Sequence, residues 1–418
     1  MNYLFIHQSL PGQFPHLAKD LARDPKNTVY FLTRFGKEDL PGVRVVRYDL
    51  IEKHKKTHDH LQNLQNAVIT GESVARALIK LEKESGFRPD LIYAHPGWGE
   101  TLFVKEISPD VPLIHFAEFF YHTFGADSFA TVDEVPEFDD RMRLKMKNAV
   151  NLMSLETCDL AVTPTEWQWR QQPARYREKI SIIHDGIDTD AARPDSQAML
   201  QLPDGTQLRF GDEVVTYVNR HLEPFRGMFI FAEAAAIVAR HRPDCRFLIV
   251  GAETRKYYGP LPPKGQTYRE MAIEKLGPAR ERCFFLGLLP YADLLRVLQI
   301  SAAHVYLTRP FVLSWSMLDA MSAGCIVIGA ASPPVAEVIR DEENGLLVDP
   351  YSSDELAERI LEVLADRTRM KDIAKAARET IVKKYSLEVC LPAQKELIAR
   401  AVANSQATKF GIPRIEQA

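Results

Sequence analysis

The chain has 418 residues, of which 46% are hydrophobic and 26% charged, and this is the length of two or three domains. The composition is that of a globular protein and excludes a disordered, collagen-like or small disulfide-stapled chain. With 52 basic and 56 acidic residues the net charge is −4, which does not favour nucleic-acid binding. The five cysteines include no CxxC pair, so we expect reduced thiols without a zinc site or redox pair.

The sequence also argues against membrane spanning and secretion. No apolar run reaches the ~18–20 residues that a transmembrane helix needs. The apolar run at the N-terminus is short and meets Pro11 and Gly12, so we predict a first buried strand there rather than a signal peptide. We expect a cytoplasmic protein, either free or at the inner face of the membrane.

Strand-like apolar runs alternate with helical patterns in the first half of the chain. The predicted strands are Tyr3–His7, Thr28–Thr33, Arg44–Tyr48, Leu91–Ala94, Leu113–Phe116, Leu160–Thr163 and Ile180–His184. The predicted helices are Pro15–Arg23, Leu61–Glu84 and Asp139–Thr157.

The alternation stops at Ile187–Asp212, a segment with two prolines and two glycines and no clear period, and then restarts. The strands predicted after it are Glu213–Tyr217, Arg246–Val250, Cys283–Leu286, His304–Leu307, Cys325–Gly329 and Leu346–Val348. The helices predicted there are Met228–Arg240, Tyr268–Leu276, Tyr291–Ile300, Ser316–Ala323, Asp354–Ala365 and Leu387–Ala403.

Alternating strands and helices predict parallel sheets with helices on both faces, and such sheets bind ligands at the carboxyl ends of their strands. We therefore predict an α/β protein of two doubly wound, Rossmann-like domains that face each other across a cleft. The predicted boundaries are residues 1–190, a linker at 191–212, a second domain at 213–385, a helix at 386–403 that returns to the first domain, and a tail at 404–418.

Several ordered motifs carry a resemblance to a known family. They are Tyr217–Gly227 (YVNRHLEPFRG), Phe247–Gly251 (FLIVG), Cys283–Pro290 (CFFLGLLP), Leu318–Ile328 (LDAMSAGCIVI), Pro334–Ile339 (PVAEVI), Glu343–Pro350 (ENGLLVDP) and, earlier in the chain, His184–Asp188 (HDGID). In this order they resemble the retaining glycosyltransferases of family 4, which have the two-domain GT-B fold. The stretch from Phe116 to Ile187 is similar to one bacterial branch of that family.

The resemblance implies a retaining transfer of sugar from a UDP- or GDP-sugar to a hydroxyl of a glycan, lipid-linked or protein acceptor, in surface polysaccharide or glycoconjugate synthesis. It implies no cofactor and no metal. Two alternatives remain open: a sugar-nucleotide 2-epimerase or hydrolase of the same fold, and a non-catalytic nucleotide-sugar-binding subunit. The sequence does not indicate the oligomeric state.

Arg220 and Arg226 are the predicted diphosphate ligands. They follow a strand, where two fixed cations would neutralise the charge that grows on a leaving diphosphate, and arginine bonds phosphate oxygens bidentately. The family usually has lysine at the second position. The alternative is two surface arginines in a loop.

The predicted donor site continues around Asp319, which stands where the family has a glutamate that accepts hydrogen bonds from the ribose. Eight residues earlier the family has another glutamate, which ordinarily touches the donor sugar, but this chain has Phe311. The backbone N–H groups of Val312, Leu313 and Ser314 are candidates for phosphate or sugar contacts at the following helix. An apolar loop that packs in the core is the alternative.

Two more residues complete the predicted donor side. Glu337 corresponds to a family position close to the diphosphate or ribose, and Leu288 lies in the segment whose backbone would read the base. Both predictions come from the resemblance to the family.

The first domain contributes the predicted sugar and acceptor side. Gly12 would let a loop approach the substrates closely, although an ordinary Pro-Gly turn is the alternative. Glu118 occupies the family's histidine position and would bond sugar hydroxyls or stabilise an oxocarbenium-like centre. His95, Trp98 and His115 follow or end neighbouring strands, and Trp98 could stack on a sugar ring. The alternative for each is a polar strand end that caps the next helix.

Two charged clusters carry weaker predictions. The histidines at 54, 58 and 60 have no spacing that enforces metal geometry, so we predict no metal site there. Arg141, Arg143, Lys145 and Lys147 place four cations in one helix, which indicates either a solvated face or an anionic partner such as a phospholipid surface.

Overall fold

The computed structural model describes residues 1–52, 56–126, 135–253 and 261–407. These fall into two compact units, which we call unit 1 (Met1–Gly186 with the segment from Leu387) and unit 2 (Ile187–Ser386). Each unit is a parallel sheet with helices on both faces, so the predicted fold class is confirmed.

Unit 1 has a seven-stranded sheet in the order β3-β2-β1-β4-β5-β6-β7. Its central strands are buried on both faces, which is why they read as continuous apolar runs. The strands are β1 (Asn2–Ile6), β2 (Thr28–Thr33), β3 (Val43–Arg47), β4 (Leu91–Ala94), β5 (Leu113–Phe116), β6 (Leu160–Thr163) and β7 (Ile180–Ile182). The helices are α1 (Pro15–Ala22), α2 (Gln62–Ser85), α3 (Val104–Ile107), α4 (Phe138–Thr157) and α5 (Glu166–Gln171).

Unit 2 begins with a short antiparallel hairpin and continues as a six-stranded sheet in the order β12-β11-β10-β13-β14-β15. Its strands are β8 (Met199–Gln201), β9 (Gln207–Arg209), β10 (Val214–His221), β11 (Arg246–Ala252), β12 (Cys283–Gly287), β13 (Ala303–Tyr306), β14 (Ile326–Ala330) and β15 (Leu346–Val348). Its helices are α6 (Met228–His241), α7 (Tyr268–Leu276), α8 (Tyr291–Gln299), α9 (Trp315–Ala323), α10 (Pro333–Ala336), α11 (Ser353–Ala365) and α12 (Arg367–Lys384).

The predicted linker at 191–212 is part of unit 2. Its leucines at 202 and 208 are buried in the core of that unit, and Gly205 takes a left-handed conformation in the turn between β8 and β9. The proline and glycine pattern that suggested a linker therefore marks a hairpin, and the boundary between the units falls at Gly186–Ile187.

The last helix, α13 (Leu387–Ala407), belongs to unit 1. Leu397, Ile398 and Ala401 are buried in the same cluster as residues of β1 and α1, and Lys395 pairs with Asp20 on α1. The helix continues four residues into the predicted tail, and the remainder of that tail lies outside the described residues. No helix in the described ranges is both long and apolar enough to cross a membrane.

Each sheet has a point where its strand order reverses, and parallel α/β sheets bind ligands at the carboxyl ends of the strands that flank such a point. In unit 1 the reversal lies between β1 and β4, and in unit 2 between β10 and β13. These two switch points locate the candidate sites.

Candidate functional site

The switch point of unit 1 brings two buried histidines together. His7 follows β1 and His95 follows β4, and their ring centroids are 5.0 Å apart in an edge-to-face arrangement. Trp98 stacks on His95 at 4.8 Å and remains largely exposed, so it presents an aromatic face beside the pair. His95 and Trp98 were both predicted at this site, whereas His7 was not.

Glu118, which follows β5, lies between Gln13 and His95. Its Oε1 accepts a hydrogen bond from Gln13 Nε2 at 2.9 Å, and its Oε2 lies 3.4 Å from His95 Nε2. The Gly97 N–H donates to His95 Nδ1 at 3.1 Å, which leaves Nε2 as the ring nitrogen on the side of the carboxylate. The Glu118 side chain is still 28% exposed.

The environment keeps Glu118 ionised. Burial, the largest influence, raises its pKa, but the neighbouring His95 and the Gln13 hydrogen bond hold the pKa of Glu118 below its ordinary value. His7 remains neutral, because burial and the neighbouring His95 lower its pKa to about 3. The cluster therefore presents a fixed, partly exposed carboxylate.

Gly12 makes this arrangement possible. It has a φ of +55°, and a Cβ at this position would lie 2.6 Å from the His7 ring. Glycine thus lets the loop before α1 lie directly on His7, and that loop carries Gln13 to Glu118. The predicted close approach of Gly12 is an approach to a side chain of the site.

His115 lies on a different side of the site. Burial, followed by the charge of Lys179, lowers its pKa to about 3, so the ring is neutral. It faces a cavity of about 50 Å³ whose wall also includes His95, Glu118 and Lys147 of α4. Its predicted role beside the sugar stays a prediction.

Glu100 is a buried acid that the sequence analysis missed. It has no exposed surface, the Trp98 N–H donates to its Oε2 at 3.1 Å, and burial raises its pKa to about 7. Glu100 follows β4 by six residues, and His7 directly follows β1. Position after a strand end was therefore the available signal for both residues.

Glu100→Gln is expected to change the pH dependence of stability. The folded protein holds a proton on Glu100 that the unfolded chain releases above pH ~4.5, so the parent loses stability as the pH rises from about 4.5 to about 7. Glutamine has no such proton, so the variant should gain roughly 3 kcal/mol relative to the parent across this window. Urea unfolding at a series of pH values measures the difference, and parallel curves would contradict it. Glu166→Gln, on α5, is the control.

The switch point of unit 2 is bridged by Arg226. Its Nη1 donates to Thr308 Oγ1, beyond β13, at 2.8 Å, and its Nε lies 3.7 Å from the buried carboxylate of Glu223. Its backbone carbonyl accepts a hydrogen bond from Tyr217 of β10 at 2.9 Å. The guanidinium is thereby fixed between the two strands that flank the reversal, with 21% of the side chain exposed.

Arg220 lies at the end of β10 and is exposed. It has no side-chain partner in the part of the chain that the structure describes. Burial and then the charges of Arg220 and Arg226 lower the pKa of His221. Arg220 lies at the carboxyl end of β10 and Arg226 follows that strand, so both belong to the carboxyl edge of the sheet, Arg226 fixed and Arg220 exposed.

Gly227 sets the start of α6 next to this pair. It has a φ of +73°, and a Cβ there would lie 2.4 Å from Leu307 Cβ. Gly227→Ala should destabilise the protein by about 1–3 kcal/mol from backbone strain alone, and further through this clash. Gly205→Ala is the matched control, since Gly205 also has a positive φ but no atom within 4 Å of the added Cβ. Equal melting temperatures for the two variants would contradict the clash.

Asp319 has a partner within unit 2. It lies in the second turn of α9, is buried, and its Oδ1 accepts a hydrogen bond from the Tyr291 hydroxyl at 3.0 Å. Burial, aided by the charge of Asp188, raises the pKa of Asp319 to about 7. One oxygen that was expected to meet a ribose is therefore occupied by Tyr291, a residue that the sequence analysis did not single out.

The loop before α9 makes several internal contacts. The Ser314 N–H donates to the Tyr306 hydroxyl at 2.9 Å, and its Oγ caps the helix by accepting from the Ser316 N–H. Leu313 is buried in the core of unit 2. Of the three predicted backbone donors, Ser314 thus donates within the protein, Leu313 is a core residue and Val312 is half-buried. Phe311, which stands where the family has a glutamate, is also half-buried.

The remaining donor-side predictions lie at the carboxyl edge of the unit 2 sheet. Leu288 directly follows β12 and is exposed, and Glu337 ends α10 beyond β14. Of the discounted histidine cluster, position 54 lies outside the described residues, and His60 pairs with Asp139 at 3.4 Å. Within the described ranges no group of three His, Cys, Asp or Glu side chains could hold a metal ion.

Comparison with known proteins gives the family. The family model for the glycosyl transferase family 4 group matches residues 25–192, and that for glycosyl transferases group 1 matches residues 203–380. The chain is 26% identical to D-inositol 3-phosphate glycosyltransferase of Corynebacterium aurimucosum over 302 residues, which are 69% of this chain and 66% of that protein. The matched part of the chain spans 60–66% of the length of the first three curated relatives.

Solved structures share the fold. Sucrose-phosphate synthase of Thermosynechococcus elongatus superposes with a TM-score of 0.71 at 19% identity, covering 97% of this chain and all of that one. Anabaena HepE in complex with UDP-glucose superposes with a TM-score of 0.64 at 18% identity, covering 96% and 100%. Consecutive family models match both halves of the chain, and each unit has a doubly wound parallel sheet, so the chain belongs to the family 4 group of glycosyltransferases with the GT-B fold.

Proposed function

We propose that the protein is a retaining glycosyltransferase that transfers a sugar from a nucleotide-diphosphate sugar to a hydroxyl acceptor. The observation that carries this proposal is the pair Arg220 and Arg226 at the switch point of unit 2, with Arg226 fixed by Thr308 and Arg220 available. Two cations at the carboxyl ends of parallel strands suit a diphosphate, and membership of the family supplies the reaction class.

In this proposal the two arginines bind the diphosphate and neutralise its charge as the glycosidic bond breaks. Such preorganised charge is usually the largest single contribution of an enzyme to rate. The leaving phosphate oxygen accepts the proton of the acceptor hydroxyl on the same face of the sugar, so the anomeric configuration is retained. No protein nucleophile is required.

Unit 1 has candidate sugar-binding groups at its own switch point. Glu118 remains ionised, and its exposed part can bond sugar hydroxyls or stabilise positive charge at the anomeric carbon. The exposed face of Trp98, held by its stacking on His95, can pack against a sugar ring. Both groups are positioned by rigid strand ends, which favours an aligned reaction.

A thermal-shift screen of UDP, GDP and their sugars tests the donor. Binding at 100 times Kd adds about 2.7 kcal/mol of stability, which is easily measured. UDP-glucose is the first donor to test, because Anabaena HepE was solved with it. Arg220→Ala should lose the shift with the nucleotide diphosphate.

Product analysis then separates the reactions. Sugar transferred to an added hydroxyl acceptor with the donor's anomeric configuration, seen by NMR, supports the proposal. Release of free sugar would identify a hydrolase, and an isomerised sugar nucleotide would identify a 2-epimerase. Tight donor binding without turnover over a wide acceptor panel would overturn catalysis and leave a binding subunit.

A further inference from the structure

Unit 2 has a second concave surface, far from its arginine pair. This groove has a volume of about 650 Å³ and lies where β13 and β14 begin, at the amino edge of the sheet. The arginine pair lies at the carboxyl edge of the same sheet. The groove is lined mainly by Phe210, Ile326, Val363, Met370, Ala374 and Val382.

The groove is apolar and open. Phe210 is 54% exposed and Val382 40% exposed, although both are large hydrophobic side chains. The groove therefore offers exposed apolar side chains to a ligand. The apolar lining, which we call the floor of the groove, suits a hydrocarbon chain.

Helix α12 adds positive charge along one wall. The helix has seven basic and two acidic residues, and those of its residues that line the groove recur every three or four positions. Arg378 is used internally, since it donates to the carbonyl oxygens of Thr189, Ala192 and Ser322, and Lys383 pairs with Glu379 at 3.2 Å.

Two cations on this wall remain available. Lys371 and Lys375 are exposed, and neither has a partner among the residues that the structure describes. They lie one turn apart on either side of Ala374, which lines the apolar floor. An apolar groove bordered by two available cations is complementary to a molecule that has a hydrocarbon chain and an anionic head.

We propose that this groove binds an anionic phospholipid at a bilayer surface, with an acyl chain on the floor between Phe210 and Val382 and the phosphate on Lys371 and Lys375. The groove would then attach unit 2 to anionic membranes. This proposal is independent of the proposed transfer reaction, since it involves none of the residues of either switch point.

Co-sedimentation with vesicles tests the charge. The full chain should bind phosphatidylcholine vesicles that contain phosphatidylglycerol and bind pure phosphatidylcholine vesicles much more weakly. The double variant Lys371→Gln, Lys375→Gln should bind about thirtyfold more weakly, because each lysine near an anionic surface contributes about fivefold. The matched control is Arg141→Gln, Lys145→Gln, which removes the same charge from exposed positions of α4 in unit 1. Loss of binding in the control alone would overturn the proposal and assign the membrane contact to α4.

Filling the groove tests the acyl chain. Ala374→Phe keeps both lysines but occupies the floor, so it should lose at least tenfold in vesicle affinity. Unchanged affinity would show that only charge acts and would overturn the acyl site.

A fluorescent reporter covers the case in which Ala374→Phe does not fold. Phe210→Trp is a conservative change at an exposed position, and its added emission should be quenched by phosphatidylglycerol with brominated acyl chains. Absence of that quenching, or absence of vesicle binding by the parent, would also overturn the proposal and leave a protein partner or a second copy as the occupant.

Discussion

Arg220→Ala is expected to lower kcat/KM for the nucleotide-sugar donor about ten- to a hundredfold. A charge-assisted hydrogen bond to a phosphate is worth about 1.5–3 kcal/mol, and each 1.36 kcal/mol is tenfold in rate. Stability should change by less than about 0.5 kcal/mol, because Arg220 is exposed and has no partner in the described ranges. Steady-state kinetics with a thermal melt measure both quantities.

Arg226 needs a different substitution. Alanine would leave the buried Glu223 carboxylate without its cation, so folding itself would suffer. Arg226→Lys keeps the charge, so we expect it to retain most activity. Arg240→Ala is the control, since it removes an exposed cation from the far end of α6. If Arg220→Ala matches Arg240→Ala in kcat/KM, the diphosphate lies elsewhere.

The fold could be predicted from sequence because parallel strands buried on both faces read as short apolar runs. Predicted Leu91–Ala94 and Leu160–Thr163 coincide with β4 and β6. The hairpin of β8 and β9 was missed because each strand has only three residues, too few to display a period of two. Helix α12 was not predicted individually, and its composition is dominated by charged residues.

The candidate site could be predicted only in part. Site residues that follow strand ends could be identified from the sequence, because they gather at the carboxyl edge of a parallel sheet. Their partners from distant loops could not be identified. Gln13 donates a hydrogen bond to Glu118, which lies 105 residues later in the sequence. The Tyr291 hydroxyl donates to Asp319, which lies 28 residues later. No local pattern encodes such pairs, because they depend on how loops fold over the sheet edge.

The second large effect is expected at Glu118. Glu118→Gln keeps the shape of the side chain but removes the negative charge that His95 and Gln13 stabilise. If this carboxylate faces the anomeric centre, the loss should appear in kcat, by about 10²–10³, the effect of removing one preorganised electrostatic group. KM should change little, because the interaction strengthens mainly in the transition state.

The pH dependence gives this prediction a second readout. Because the pKa of Glu118 lies below its ordinary value, the carboxylate is ionised at every pH above about 4.5, and the ratio of parent to variant kcat should be constant there. Glu166→Gln, the same change on the surface helix α5, should leave kcat at the parental value. A ratio near one for Glu118→Gln would mean that the carboxylate serves only to hold His95 and the Trp98 ring in place. In that case Trp98→Ala, rather than Glu118→Gln, would carry the loss of activity, and it would appear in KM.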